Sequence, residues 1–182
     1  MAAVTLDGYR VQNGFTLIEL MLVVAVAAVI ASLALPSLDR FADRNRIEST
    51  ANELVAHINL ARLEAVMHRR VVVVCPSTDG QRCSGGNQWH HGWIVFRDDD
   101  RNDVADRVED LLRVGPVRKR LWMDSAGRKR IRYQPDGTAG GSNLSIKLCD
   151  LEHADLAHAV IVSNPGRPRV APLPRHLSCP VG

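Results

Sequence analysis

Gly14-Phe15-Thr16-Leu17-Ile18-Glu19-Leu20 opens an apolar run that continues to Leu35, and from Phe15 onward Glu19 is its only charged residue. Roughly twenty helical residues, at about 1.5 Å each, cover a hydrocarbon core of about 30 Å, so residues 15–35 are long enough to cross a bilayer. A secretory signal would pair a shorter apolar run with a small-residue cleavage site behind it. Here the run passes smoothly into further helical pattern and is expected to be kept. Glu19 then stands out, because an ionised carboxylate in lipid is costly and persists with a partner or a function. Pro36 removes one backbone hydrogen bond and crowds the preceding turn, so a bend or local melting is expected there.

Beyond Pro36 the pattern turns amphipathic. Ile47, Ala51, Leu54, Ile58, Ala61 and Ala65 recur at alternating spacings of four and three, which places them on one helical face. Arg44, Arg46, Glu48, Glu53, Arg62 and Glu64 fall largely away from that face, so residues 36–70 read as a helix laid on a folded head. His57 and His68 read as surface or boundary residues of this helix. After Arg70 the period changes to short β-rich runs at 71–75, 93–96, 117–122, 129–133, 144–149 and 159–163. Turn chemistry separates them, as in Gln134-Pro135-Asp136-Gly137 and Asn164-Pro165-Gly166. An antiparallel head over 71–182 is the expectation.

The Gly14 to Leu20 stretch resembles the type IV prepilin signature. The resemblance implies that residues 1–14 are a leader, that a prepilin peptidase cuts between Gly14 and Phe15, and that it methylates the new Phe15 amine. It also implies that Glu19 pairs with the Phe15 amine of a neighbouring subunit in a filament, which supplies the counter-charge lipid lacks. The leader carries Asp7 and Arg10, so its positive-inside signal is weak. The head resembles the minor pilin and pseudopilin group that includes FimT, FimU and GspH, and is nearest to FimT. The residues that carry this are Cys75 to Cys83, Trp89, Gly92-Trp93-Ile94-Val95-Phe96-Arg97-Asp98 and Gly166-Arg167-Pro168-Arg169. The implied fold is α+β and pilin-like, a long N-terminal transmembrane and amphipathic helix packed on an antiparallel sheet. The implied location is the inner membrane with a periplasmic head, then a pilus or pseudopilus.

Four cysteines, all from Cys75 onward, suit two disulfides in an oxidising compartment, and the count alone permits three pairings. Cys75 and Cys83 flank a short polar turn while Cys149 and Cys179 bracket the last hairpin, so the local pairing is favoured. Zinc is the rival, but there is no C-x-x-C spacing, and no metal or other cofactor is expected.

No nucleophile and base constellation, phosphate loop or H-E-x-x-H helix occurs, so catalysis is not expected. Asp98, Asp99, Asp100, Asn102, Asp103, Asp106, Glu109 and Asp110 offer oxygen ligands suited to calcium. The run lacks the turn glycine of an EF-hand and is interrupted by arginines, so it reads as a solvated loop.

The net charge of +3 does not by itself announce nucleic acid. Its distribution is more informative. Arg113, Arg118, Lys119, Arg120, Arg128, Lys129, Arg130 and Arg132 stand against Asp124 alone between 113 and 132. If residues 128–133 form a strand, Arg128, Arg130 and Arg132 line one face about 6.7 Å apart, with Ile131 and Tyr133 facing the core. In FimT-like proteins a Gly-Arg-x-Arg element contacts DNA during natural transformation. The resemblance places it at Gly166, Arg167, Pro168 and Arg169, with Arg175 added. Aromatic residues are only 4% of the chain, too few for base stacking, so binding would be non-specific phosphate clamping. The alternative is a structural minor pilin or pseudopilin, FimU-like or GspH-like, that primes a filament and meets only protein partners.

Overall fold

Thr16 sets the start of the long helix: its Oγ1 accepts the Glu19 N–H at 3.3 Å and its carbonyl the Leu20 N–H at 3.1 Å. Thr-x-x-Glu is the capping-box pattern, and an acidic residue in the first turn also suits the helix dipole. The computed structural model describes residues 15–153, 155–174 and 177–180, with the side chains of 33–37 outside that description. The expected leader, Gly14 included, and Arg175 lie outside the described residues.

Helix α1 runs Leu17–His68, and helical backbone continues through Pro36, so the local melting expected there does not occur. One missing hydrogen bond is tolerated where the turns on either side keep theirs. The chain divides into two compact units, one ending at Asp39 and one starting at Arg40. In the first, the apolar side chains from Phe15 to Ile30 are largely exposed. Among the described residues no helix is long and apolar enough to cross a membrane; the expected 15–35 span includes 33–35, whose side chains are not described.

In the second unit, Ile47, Ala51, Leu54, Ile58, Ala61 and Ala65 are all fully buried, the stripe read from the sequence. The helix ends in a left-handed Arg69, φ 51°, after which the Arg70 N–H donates back to the Ala65 carbonyl at 3.2 Å. This is the Schellman geometry, built on an arginine where glycine is usual.

Eight strands follow: β1 (Val72–Pro76), β2 (Trp93–Arg97), β3 (Leu111–Gly115), β4 (Leu121–Asp124), β5 (Ile131–Tyr133), β6 (Leu144–Asp150), β7 (Ala157–Val162) and β8 (Pro168–Pro172). They form two antiparallel four-stranded sheets, ordered β3-β2-β1-β5 and β4-β6-β7-β8. The helical stripe, Val72 and Val74 of β1, Met123 of β4, Ile131 and Tyr133 of β5, and Leu144, Ile146 and Leu148 of β6 share one core. Val71, Val73, Cys75, Ile94 and Phe96 form a second cluster on the other side of the first sheet, against Cys83, Ala105 and Leu111. Burial on both faces explains the unbroken apolar reading of β1, since only one-sided strands alternate. β6 does alternate along most of its length.

Both expected disulfides are present, Cys75–Cys83 and Cys149–Cys179, with Cα separations of 5.6 and 5.8 Å. Every buried residue identified among those described lies at Asp43 or beyond, so the head from Arg40 carries its own core.

Candidate phosphate-contacting surface

Gly166 fixes the turn that carries the expected arginines. It is buried with φ +81°, its N–H donates to the Ser163 carbonyl at 2.8 Å, and its own carbonyl accepts the Tyr133 hydroxyl at 2.9 Å. Burial pushes the Tyr133 hydroxyl well above the usual tyrosine range, so it stays a donor. From the other side, Ala139 N–H donates to the Asn164 carbonyl at 3.0 Å, and Arg62 Nε donates to the Gly137 carbonyl at 2.9 Å. Gly166 therefore positions the element and presents nothing to a ligand.

Arg167 closes the turn, its carbonyl accepting the Ser163 N–H at 3.3 Å, and Arg169 lies on β8 opposite Ile161. Both are exposed, and neither has a carboxylate partner among the described residues.

The larger basic run behaves differently from its linear reading. It divides between the sheets, Arg118 to Arg120 leading into β4 and Arg128 to Arg132 into β5. Only Arg132 of the expected Arg128-Arg130-Arg132 face is in a strand, because β5 begins at Ile131; Ile131 and Tyr133 do face the core. The reason is local: Arg128 N–H bonds back to the Ser125 carbonyl, and Ser125 Oγ donates to the Arg128 carbonyl, which holds 125–128 as a turn.

Four of the eight cations have carboxylate partners among the described residues. Arg118 pairs with Glu53, and Arg120 with Glu152 and, at 3.8 Å, Asp43. Arg130 Nη1 meets Asp103 at 2.6 Å, and Arg132 Nη2 meets Asp98 at 3.1 Å and Asp103 at 2.5 Å. Lys119, Arg128 and Lys129 are exposed without a carboxylate partner among the described residues, and Arg128 Nη1 donates to the Gly141 carbonyl.

The acidic run is exposed over most of its length, as a solvated loop would be, and Asp98 is the exception. Asp98 is buried, and burial raises its pKa against the lowering pull of the Asp103 N–H and Arg132. Asp99 pairs with Arg70 at 3.1 Å, while Asp100 and Asp106 accept from Asn102.

Two features were not visible in the sequence. Asp43, Asp150 and His153 meet with ligand atoms within 4.8 Å of one another, but Arg46 and Arg120 already supply cations there. His57 Nδ1 accepts the Trp93 indole N–H at 3.0 Å, half-buried at the edge of the core. Burial lowers the His57 pKa below its ordinary 6.5, offset by Glu53. A native state that binds fewer protons loses stability as pH falls through the unfolded-state value. Protonating Nδ1 also removes the acceptor. The melting temperature is expected to drop between pH 7 and pH 5, and His57→Asn, which keeps an acceptor without a titration, should shrink that drop. His90 is lowered by burial as well and will leave a remainder.

The fold and the N-terminal motif define a pilin-like class of protein. The family model described as Type II transport protein GspH matches residues 50–166, and the prokaryotic N-terminal methylation motif matches residues 9–35. The chain belongs to the GspH family, within the minor pilin and pseudopilin group that includes FimT and FimU. A fimbrial protein of Pseudomonas aeruginosa is 33% identical over 64 residues, 35% of this chain and 41% of that protein. Pilin-like protein PilA1 of Thermus thermophilus is 30% identical over 100 residues, 55% of this chain and 57% of that one. The chain thus spans about half the length of these curated relatives. The crystal structure of the type IV minor pilin FimU of Pseudomonas aeruginosa aligns at TM-score 0.56 and 20% identity, over 76% of this chain and 96% of that one. That likeness is one of fold.

Proposed function

We propose that this chain is a minor pilin that enters a type IV pilus and grips DNA non-specifically through Arg167 and Arg169 during natural transformation. The observation that carries the reading is the pair of exposed arginines without carboxylate partners, held on a turn whose glycine is anchored in the core. Arginine forks hold phosphate oxygens bidentately, and a few such contacts give modest, salt-sensitive affinity. The family reading is that of a structural subunit rather than an enzyme.

A head fragment from Arg40 should shift duplex DNA in a gel at about 50 mM salt, where phosphate contacts are strong. Arg167→Ala with Arg169→Ala should abolish the shift. No shift by the unaltered head at that salt removes the DNA-binding reading. The partnering of Arg118, Arg120, Arg130 and Arg132 then favours the second reading, a FimU-like or GspH-like subunit that primes a pilus or pseudopilus through protein contacts alone.

Both readings share the anchor. Residues 1–14 are removed by prepilin peptidase at the inner membrane, Phe15 becomes a methylated N-terminus, and Glu19 pairs with the Phe15 amine of an adjoining pilin subunit. Mass spectrometry of the native protein should find a chain starting at methylated Phe15; an intact Met1 to Gly14 segment would sink the assembly scheme.

A further inference from the structure

We infer that the basin bounded by Arg128, Lys129, Arg130, Arg132 and the Gly140–Ser142 turn is an oxyanion site that holds a backbone phosphate of a DNA strand. It rests on the DNA-binding reading above and adds a contact point separate from Arg167 and Arg169. The basin encloses about 370 Å³, and no carboxylate lines it. Asp98 and Asp103 lie behind two of its arginines, so four cations face two acids and two positive charges remain uncompensated.

Those acids orient the arginines without using up their donors. Arg132 is held through Nη2 alone, and Arg130 through Nη1 alone. A guanidinium has five N–H donors, and a fork with one edge fixed loses little freedom when its other edge takes a phosphate. Arg132 Nε is itself buried, so with Nη2 on the acids it is the Nη1 group that is left to a phosphate. Arg128 is tethered through one Nη to the Gly141 carbonyl, and Lys129 is exposed and adds a point charge to the lining. The far wall is low: Gly141 has φ +74°, and nothing lies within 4 Å of where a Cβ would be. Bare glycine backbone lets a ligand approach closely.

The location favours a nucleic-acid strand over an acidic peptide. Ala139, next to the basin, donates its N–H to Asn164 at 3.0 Å, which sets the basin beside the turn carrying Arg167. Chain geometry places the two within about 20 Å, about six base-pair steps of a duplex at 3.4 Å of helix axis each. No apolar or aromatic side chain lines the basin to receive a peptide's side chains.

The head from Arg40 tests this in two arms. In the first, inorganic phosphate is titrated into the ¹⁵N-labelled head, and the amide signals of Gly140 to Ser142 are expected to move at millimolar concentration. In the second, anisotropy of a labelled oligonucleotide is followed from 50 to 200 mM salt. Arg128→Ala with Lys129→Ala should weaken binding about tenfold at the low end and flatten the salt slope by about one, the loss of about one phosphate contact. These two residues have no carboxylate partner among those described and the one tether lost, from Arg128 to the Gly141 carbonyl, is exposed, so the melting temperature should change little. Gly141→Asp, which adds a carboxylate at an open left-handed position that aspartate tolerates, is a second variant with the same expected loss. Unmoved amides overturn the oxyanion site. Variants that match a DNA-binding unaltered head, or poly-glutamate competing as well as DNA, overturn the phosphate contact while leaving Arg167 and Arg169 in place. An unaltered head that ignores DNA overturns the functional reading instead, and the phosphate arm still decides whether the oxyanion site exists.

Discussion

Gly166→Ala is expected to destabilise the head by about 3 kcal/mol or more in urea unfolding and, on the DNA-binding proposal, to abolish DNA retention with it. The new Cβ would stand 2.2 Å from the Gly137 carbonyl oxygen and 2.8 Å from the Tyr133 ring, at φ +81°. A left-handed non-glycine residue costs about 1–2 kcal/mol, and overfilling a packed site adds about 1–3 kcal/mol. Backbone on one side and a buried ring on the other cannot both retreat. Gly141→Ala is the control, because it shares the positive φ, at +74°, but meets nothing within 4 Å. It should lose only the conformational part, about 1 kcal/mol. Equal losses at the two positions would show that contact at Gly166 is unimportant.

Arg132→Met should cost about 2–3 kcal/mol at pH 7, because it strands a buried Asp98 without its cation. The pH dependence separates this cause from lost packing. Asp98 already has a folded-state pKa raised by burial, so its native form binds more protons than the unfolded one, and stability falls as pH rises through that window. Without Arg132 the carboxyl is raised further. The deficit of Arg132→Met against the unaltered head should therefore narrow toward pH 4, and Asp98→Asn in the same chain should restore part of the loss at pH 7. A deficit independent of pH between 4 and 7 would refute the stranded-charge explanation.

The helix stripe was legible because burial on one face of a helix leaves a 3.6-residue rhythm that solvent cannot imitate, and Ile47 to Ala65 follow it without a break. Val72 to Cys75 and Trp93 to Phe96 were legible as apolar runs bounded by turns. β3 was not, since Leu111-Leu112-Arg113-Val114-Gly115 is an exposed edge following an acidic loop and shows little contrast. β8 was hidden by its own composition, because Pro168 and Pro172 demote a run that only an edge position can rescue. The charged residues were harder still. That Arg132 serves Asp98, from a strand and a loop 34 positions apart, depends on β5 pairing with β1 beside the end of β2. Sequence shows a run of like charges, and it does not show the acids the fold brings up behind them.

The two prolines of β8 have a bearing on crowding. A strand at the margin of a sheet is an open template, and heads held side by side at high local concentration would tend to fuse along such margins. Pro168 sits opposite Val162 and Pro172 opposite His158, so β8 lacks an amide hydrogen at each end. A second copy approaching this border finds the row of donors interrupted and cannot extend the ladder along it. A head with such a border can lie beside a neighbour and remain a separate body.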